Sequence, residues 1–267
     1  MTFLQFAIKT AQKAGKILLK ESTKNLQIRE KAADDFVTNA DLESEKLIIK
    51  AIKKTYPAHG IFAEESHTAN MPNKEYIWLI DPLDGTTNYA HQLPLYCVSM
   101  GLLQIKKAEK SKNFNYLSGE IIAGVVFAPR LNELFYAEKG KGAYLNGKKI
   151  HVSNVRELSR AMTVTGFPPK NKEINMPYFT NMVRHSGVVR RFGAAALDLC
   201  YCARGAIDGF WELELKPWDI AAGSLIVIEA GGTVTDLNDQ TLDLFGQEIL
   251  ATNTHIHREM MKKLASK

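Results

Sequence analysis

Cysteine is scarce: three in 267 residues, Cys97, Cys200 and Cys202, each among apolar neighbours. That number and spacing exclude a disulfide framework or a zinc site. They predict buried free thiols in a reducing compartment, hence a cytoplasmic protein. Long apolar runs are missing too, since none approaches the roughly 20 residues that span a bilayer, and no membrane association is expected. Lysines scattered through the opening MTFLQFAIKTAQKAGKILLK break any apolar block, which argues against a signal peptide. Charge of one sign is lacking as well: 34 basic against 29 acidic residues leave +5, too mild to imply a nucleic-acid partner by itself. Low-complexity tracts and repeats at solenoid spacing do not occur.

What is present is an ordinary globular composition, long enough to bury a sizeable core. Residues 1–30 and 40–55 carry helical periodicity, the first with Phe3, Phe6, Ala7, Ala11, Ala14, Ile17 and Leu18 on one side. From Ile61 the pattern changes to short strand-like runs, and Asn146-Gly147 between apolar flanks predicts a two-residue hairpin. The lysine-rich segment 104–120 reads as a long hairpin tip facing solvent. After about Ser153 strands and helices alternate: AMTVTGF, SGVVRRF, a helix AAALDLCYCARG closed by Gly205, AIDGFWELEL, a helix capped by Asp219, then TVTDL. The expected fold class is α/β: an α+β half over 1–150 with a largely antiparallel sheet, and an α/β half over 151–267.

Chemistry concentrates in YIWLIDPLDGTTNYAH, residues 76–91. The run IWLI has no polar alternation, as in a strand covered on both faces. It delivers Asp81 at its end, Pro82 predicts a turn, and Asp84-Gly85-Thr86 predicts a helix start. Two carboxylates and the Leu83 carbonyl can then converge on one side of a tight loop, with the Gly85 and Thr86 N–H groups pointing outward. Oxygen donors suit Mg²⁺, and free N–H groups at a helix start suit phosphate. A plain Asp-Gly turn explains Asp84 alone, not an acid directly behind a buried strand. Three more acid clusters join it. FAEESH places Glu64 and Glu65 after a short apolar run, KAADDFVTNADLESE supplies Asp35, Thr38 and Asp41 just before a helix, and LKPWDIAAG puts Asp219 at a helix N-cap. Each has a bland account as a solvated pair, a helix start or a cap. Together they suggest a multi-metal carboxylate site.

The combination of AEES, WLIDPLDGTTNYAH and LKPWDIAAGSLIVIEAGG resembles the inositol monophosphatase family of Mg²⁺-dependent, lithium-sensitive phosphatases. GKGAYLNGKKIHVS, TGFPPK and RRFGAAALDLCYCARGAIDGFWE extend the resemblance over nearly the whole chain, most closely to the bacterial inositol-1-monophosphatase branch. It implies a layered αβαβα sandwich and a homodimer. It implies that Glu64, Asp81 and the Leu83 carbonyl hold a first Mg²⁺, and that Asp81, Asp84 and Asp219 hold a second, with a weaker third reached through Glu64. Thr86, paired with Asp41, would activate the attacking water. Asp84, Gly85, Thr86 and Asp219 would meet the phosphate; Gly193, Ala194, Ala195 and Glu212 would line the polyol pocket. Lys31 and Asp35 would lie in the loop near the third metal.

Two features depart from the family pattern. Glu214 stands where this branch usually has glycine, and is expected to point into solvent; the 104–120 segment is longer than expected. Histidinol phosphate, fructose 1,6-bisphosphate and nucleotide 3′-phosphate remain alternative substrates, since family members share the metal acids. Bacterial relatives also imply a binding role with the transcription and ribosomal-RNA machinery. A haloacid-dehalogenase-like D-x-D-G-T site is set aside, because DPLDGT is one residue too long and the other acids fall in a different order.

Overall fold

A computed structural model of the chain describes residues 1–23, 28–32, 35–66, 74–110, 115–168 and 170–265, with the side chains of 28–37, 107–110 and 115–118 outside the description. Helix α1, Phe3–Glu21, opens with a capping box between Thr2 and Gln5. It ends well before residue 30, because the Ser22 and Thr23 hydroxyls donate back to Leu19 O and Lys20 O, both at 2.8 Å. Beyond it, β1 (Ile28–Ala32) pairs antiparallel with β2 (Asp35–Thr38). Helix α2, Asn39–Thr55, follows at once, with Thr38 as its cap and Asp41 inside the first turn.

The first main sheet takes its seven strands in chain order: β3 (Gly60–Ala63), β4 (Tyr76–Asp84), β5 (Cys97–Lys110), β6 (Asn115–Ala128), β7 (Glu133–Glu138), β8 (Ala143–Leu145) and β9 (Lys148–Lys149). All neighbours are antiparallel except β3 and β4. Asn146 and Gly147 make the expected hairpin with φ of 50° and 82°. The lysine-rich segment is a long β5–β6 hairpin paired out to Lys110 and Asn115, and its tip lies outside the described residues. The second sheet has the order β11-β10-β12-β14-β13, from β10 (Met162–Thr165), β11 (Val188–Arg190), β12 (Gly209–Leu213), β13 (Thr233–Thr235) and β14 (Glu248–Thr252). Its helices are α4 (Met176–His185), α5 (Ala195–Ala203), α6 (Pro217–Glu229) and α7 (His257–Ala265), while the short α3 (Thr86–Ala90) follows β4.

Side-chain alternation sets the layers. From β4, Trp78 and Ile80 point to α1 and α2, whereas Ile77 and Leu79 meet the α6 side at Ala221. On the second sheet, Phe210, Ile249 and Ala251 face α5 and α6, whereas Trp211 and Leu250 face α4 and α7. The result is the αβαβα sandwich. Helix α6 is apolar nearly all round because it lies between two sheets.

A glycine pair determines how closely α6 sits. Gly101 and Gly124 are direct partners across β5 and β6. A Cβ on Gly124 would stand 2.8 Å from Ala222 O and 3.0 Å from Ala222 Cα. The helix backbone therefore rests on bare strand. At its far end the Glu229 carboxylate accepts from Gly140 N and Gly142 N at 2.6 and 2.7 Å.

Two local expectations need correcting. Strand β4 does not end at Asp81; it continues to Asp84 through a bulge, since Asp81 pairs with Ser99 and Asp84 with Cys97. Proline is tolerated at such a bulge, where a ladder N–H is not required. Asp219 is not the cap of α6: Lys216 occupies that position and Asp219 lies in the first turn, accepting the Lys216 N–H at 2.7 Å. Glu214 has φ of 60°, a left-handed conformation that suits glycine. Its carboxylate accepts from Asn171 Nδ2 at 2.9 Å on the exposed surface.

Because Gly124 underlies α6, Gly124→Val is expected to cost about 3 kcal/mol or more. Urea denaturation checks this, and an unchanged midpoint would contradict the close seating of α6.

Candidate active site

Helix α2 fixes one side of the site through successive turns of its buried face. Asp41 reaches Thr86, whose hydroxyl lies 3.3 Å from Asp41 Oδ1 and 3.1 Å from Leu83 O. Ser44 Oγ donates to Pro82 O at 2.9 Å, pinning the β4 bulge. Glu45 Oε2 accepts the Glu65 N–H at 2.8 Å, holding the turn that carries Glu64. Ile48 and Ile52 continue the same face into the core. The spacing of three and four residues puts all of these on one stripe.

The acids converge on a pocket of about 220 Å³ lined by Glu64, Asp81, Leu83, Asp84, Gly85, Thr86, Gly193, Ala194, Ala195, Glu212 and Asp219. The family resemblance implied a site role for each of these, and Glu64, Asp81, Leu83, Asp84, Gly85, Thr86 and Asp219 also stood out from the residue pattern. Asp41 stands behind Thr86 rather than in the lining. Lys31 and Asp35 fall in β1 and β2, and their side chains lie outside the description.

Three of the acids share one construction. Asp81 Oδ1 accepts the Leu83 N–H at 2.9 Å. Asp84 Oδ2 accepts the Ala196 N–H at 2.8 Å and the Cys97 thiol at 3.5 Å. Asp219 Oδ2 takes the Lys216 N–H. Each carboxylate is thus aimed by backbone N–H groups. Gly85 begins α3 at φ of 88°, and a Cβ there would meet Leu95 O at 2.8 Å, so only glycine fits. Asn88 stitches α3 to the far wall, donating to Leu95 O and Phe192 O, both at 2.7 Å.

Burial pushes the site's acids toward the neutral form. It raises Asp81 well above the usual carboxylate range, helped by the charges of Glu64, Asp84 and Asp219. It lifts Asp84 to about 6 against the opposing hydrogen bonds of the Ala196 N–H and the Cys97 thiol. Asp219 is raised by burial, opposed by the Lys216 N–H and helped by Glu64, Asp84 and Glu212. Its side chain is only half-buried by surface, so this is the desolvation of a narrow pocket rather than of a sealed core. Asp41 is pushed up to about 6, mainly by burial, despite hydrogen bonds from Thr38. Glu212 reaches about 8 through burial and the Asp84 charge, with Arg191 opposing.

Such a set suits a hard divalent cation: all-oxygen donors, crowded negative charge and backbone-aimed carboxylates. Among the described residues no three His, Cys, Asp or Glu already form a finished metal cage. A cation among these acids would offset the mutual repulsion that raises Asp81 and Asp219.

Several site residues escape the sequence. Thr87, Gly166, Phe167, Arg191 and Leu215 also line the pocket, and the Arg191 guanidinium lies 5.7 Å from the centre of the Phe167 ring. The Glu212 carboxylate rests against Gly166, where any Cβ would collide with it. Cys97 is a buried free thiol as expected, yet it also touches Asp84. Ser44 and Glu45 carried a signal, being polar residues on an otherwise apolar helix stripe. No helix among the described residues is long and apolar enough to cross a membrane.

Fold and site define a class, the metal-dependent hydrolases of phosphate monoesters that share this layered sandwich. The match to the inositol monophosphatase family runs over residues 1–267, and the chain belongs to that family. It is 41% identical to an inositol-1-monophosphatase of Synechocystis, over 99% of this chain and 89% of that protein. It is 40% identical to a putative Nus factor, SuhB, of Neisseria meningitidis, over 99% of this chain and 98% of that protein. The solved inositol monophosphatase of Anabaena (Nostoc) superposes with a TM-score of 0.85 at 38% identity, covering 98% of this chain and 94% of that one. Relatives thus divide between phosphatase and Nus-factor names.

The pH dependence has a definite sign. A carboxyl raised to about 6 in the fold stabilises it fully below its unfolded value of about 4, and that contribution is lost as pH rises through about 6. Asp41 and Asp84 both behave this way. Metal-free protein should therefore lose stability between about pH 4 and pH 6, and Mg²⁺ should raise Tm more at the upper value. Thermal melts with Mg²⁺ or with chelator check this; equal Mg²⁺ shifts at both values would contradict it.

Proposed function

We propose that the chain is a Mg²⁺-dependent phosphatase acting on a phosphorylated polyol, with myo-inositol monophosphate the substrate that its likeness to the Synechocystis inositol-1-monophosphatase supports. The observation that carries this reading is the union, in one pocket, of backbone-aimed acids, the Thr86–Asp41 pair and a separate wall bearing Glu212. Glu64, Asp81 and the Leu83 carbonyl would hold one Mg²⁺ and Asp81, Asp84 and Asp219 a second, with a weaker third near Glu64. When bound, the ions supply an acidified water and neutralise charge on the departing alkoxide.

The chain's own groups do the rest. The Thr86 hydroxyl donates toward Asp41, which leaves its oxygen able to accept a proton from the attacking water. Asp41, at about 6, is poised to take that proton onward. The Gly85 and Thr86 N–H groups meet phosphate oxygens where negative charge builds. Glu212 accepts from hydroxyls of the leaving polyol, against the Gly193–Ala195 wall. Phosphoryl transfer needs mainly positioning and electrostatics, so no nucleophilic side chain is called for. A homodimer, lithium sensitivity and a cytoplasmic setting belong to the same proposal.

The Nus-factor name of the Neisseria relative supports a second reading, a binding role in the transcription machinery that does not need turnover. Phosphate release separates the two. Inositol 1-phosphate, histidinol phosphate, fructose 1,6-bisphosphate and a nucleotide 3′-phosphate, each with and without Mg²⁺, form the panel. Mg²⁺-dependent release is expected, highest for inositol 1-phosphate, with Asp84→Asn lowering kcat by about 10³-fold. Full turnover by Asp84→Asn would contradict the site. No release from any substrate, with an intact cellular role for that variant, would favour binding.

A further inference from the structure

Asp198 has no part in the chemistry above, yet it is wholly buried in the first turn of α5, directly behind the substrate wall. Its carboxyl takes a backbone hydrogen bond from Ala194, the residue that begins α5 and lines the pocket. Its second oxygen, Oδ1, is the one buried side-chain nitrogen or oxygen among the described residues with no hydrogen-bond partner. A buried polar atom of this kind costs about 1–3 kcal/mol and calls for an explanation. Helix α5 packs against β12, the strand that carries Glu212, and Glu212 is the foremost charged neighbour of Asp198, ahead of Asp84. No cation is among the groups that act on it. Burial together with those two acids therefore keeps the carboxyl neutral, and a neutral carboxyl carries an O–H donor.

We propose that Asp198 is a positioning residue for the polyol: one oxygen fixes the Ala194 turn, and the other, as an O–H, steadies the Glu212 side of the same wall through water. It thereby governs affinity for a hydroxylated leaving group and leaves phosphoryl transfer alone. The inference rests on the phosphatase reading of this pocket. It assigns the unsatisfied oxygen a partner that the site itself contains, and explains why an acid occupies an otherwise apolar helix.

The test compares inositol 1-phosphate with phenyl phosphate, which has the ester but no hydroxyls. Asp198→Leu should raise KM for inositol 1-phosphate about tenfold, the scale of one lost hydrogen bond to a substrate-binding group. Its kcat and KM for phenyl phosphate should stay within about twofold. Asp198→Asn, which can accept the Ala194 N–H and still donate, should restore the wild-type ratio of the two KM values. If the leucine variant does not accumulate as folded protein, Asp198→Ala removes the carboxyl without overfilling the site and must show the same split. Equal loss on both substrates, or no change on either, would overturn the proposal. Wild-type protein inactive on both would instead overturn the phosphatase reading itself.

Discussion

The bond between the Asp84 carboxylate and the N-terminus of α5 holds the two walls of the site together. Asp84 ends a strand of the first sheet, and Ala196 N–H reaches it from 112 residues further along. That contact satisfies an orphan donor of a helix whose own cap, Ala194, has no side-chain oxygen to offer. The positive end of the helix meets a negative group, so electrostatics and capping agree. One side chain thereby orients a candidate metal ligand and brings the Gly193–Ala195 wall opposite the acids.

This construction strains the metal-free protein. Asp81, Asp84 and Asp219 are crowded and desolvated, and each is pulled toward the neutral form. Backbone N–H groups offset only part of that cost. A fold that spends stability on uncompensated charge is suited to a cation arriving in the pocket. Regions far from the acids obey ordinary rules, as the double-faced burial of β4 shows.

Much of this was legible in the residues. The strand-and-acid pattern of 76–91 and the distant Glu64 and Asp219 point to the acid side of the pocket, because chemistry of this kind needs particular residue types at strand ends, whereas the Gly193–Ala195 and Glu212 wall came from the family resemblance. The Asn146-Gly147 turn and the burial of IWLI on both faces followed from local rules. Other features did not, for physical reasons. The end of α1 depends on Ser22 and Thr23 turning back on its carbonyls, which periodicity does not register. The β4 bulge reflects pairing with Ser99 and Cys97, a tertiary fact. Asp219 reads as a cap, yet Pro217 and Trp218 already belong to the helix. Cys97, Arg191 and Asp198 acquire meaning only through partners far off in sequence. Glu214, marked as a departure from the family pattern, stands out structurally through its left-handed backbone.

The central claim is that the carboxylates of Glu64, Asp81, Asp84 and Asp219 form one cation site while Asp84 keeps its hold on α5. Anomalous diffraction from crystals soaked in Mn²⁺ tests it most directly. The account predicts at least two peaks within reach of these four carboxylates, with the Ala196 N–H still bonded to Asp84. Peaks elsewhere, or an Asp84 that releases Ala196 to bind metal, would contradict it.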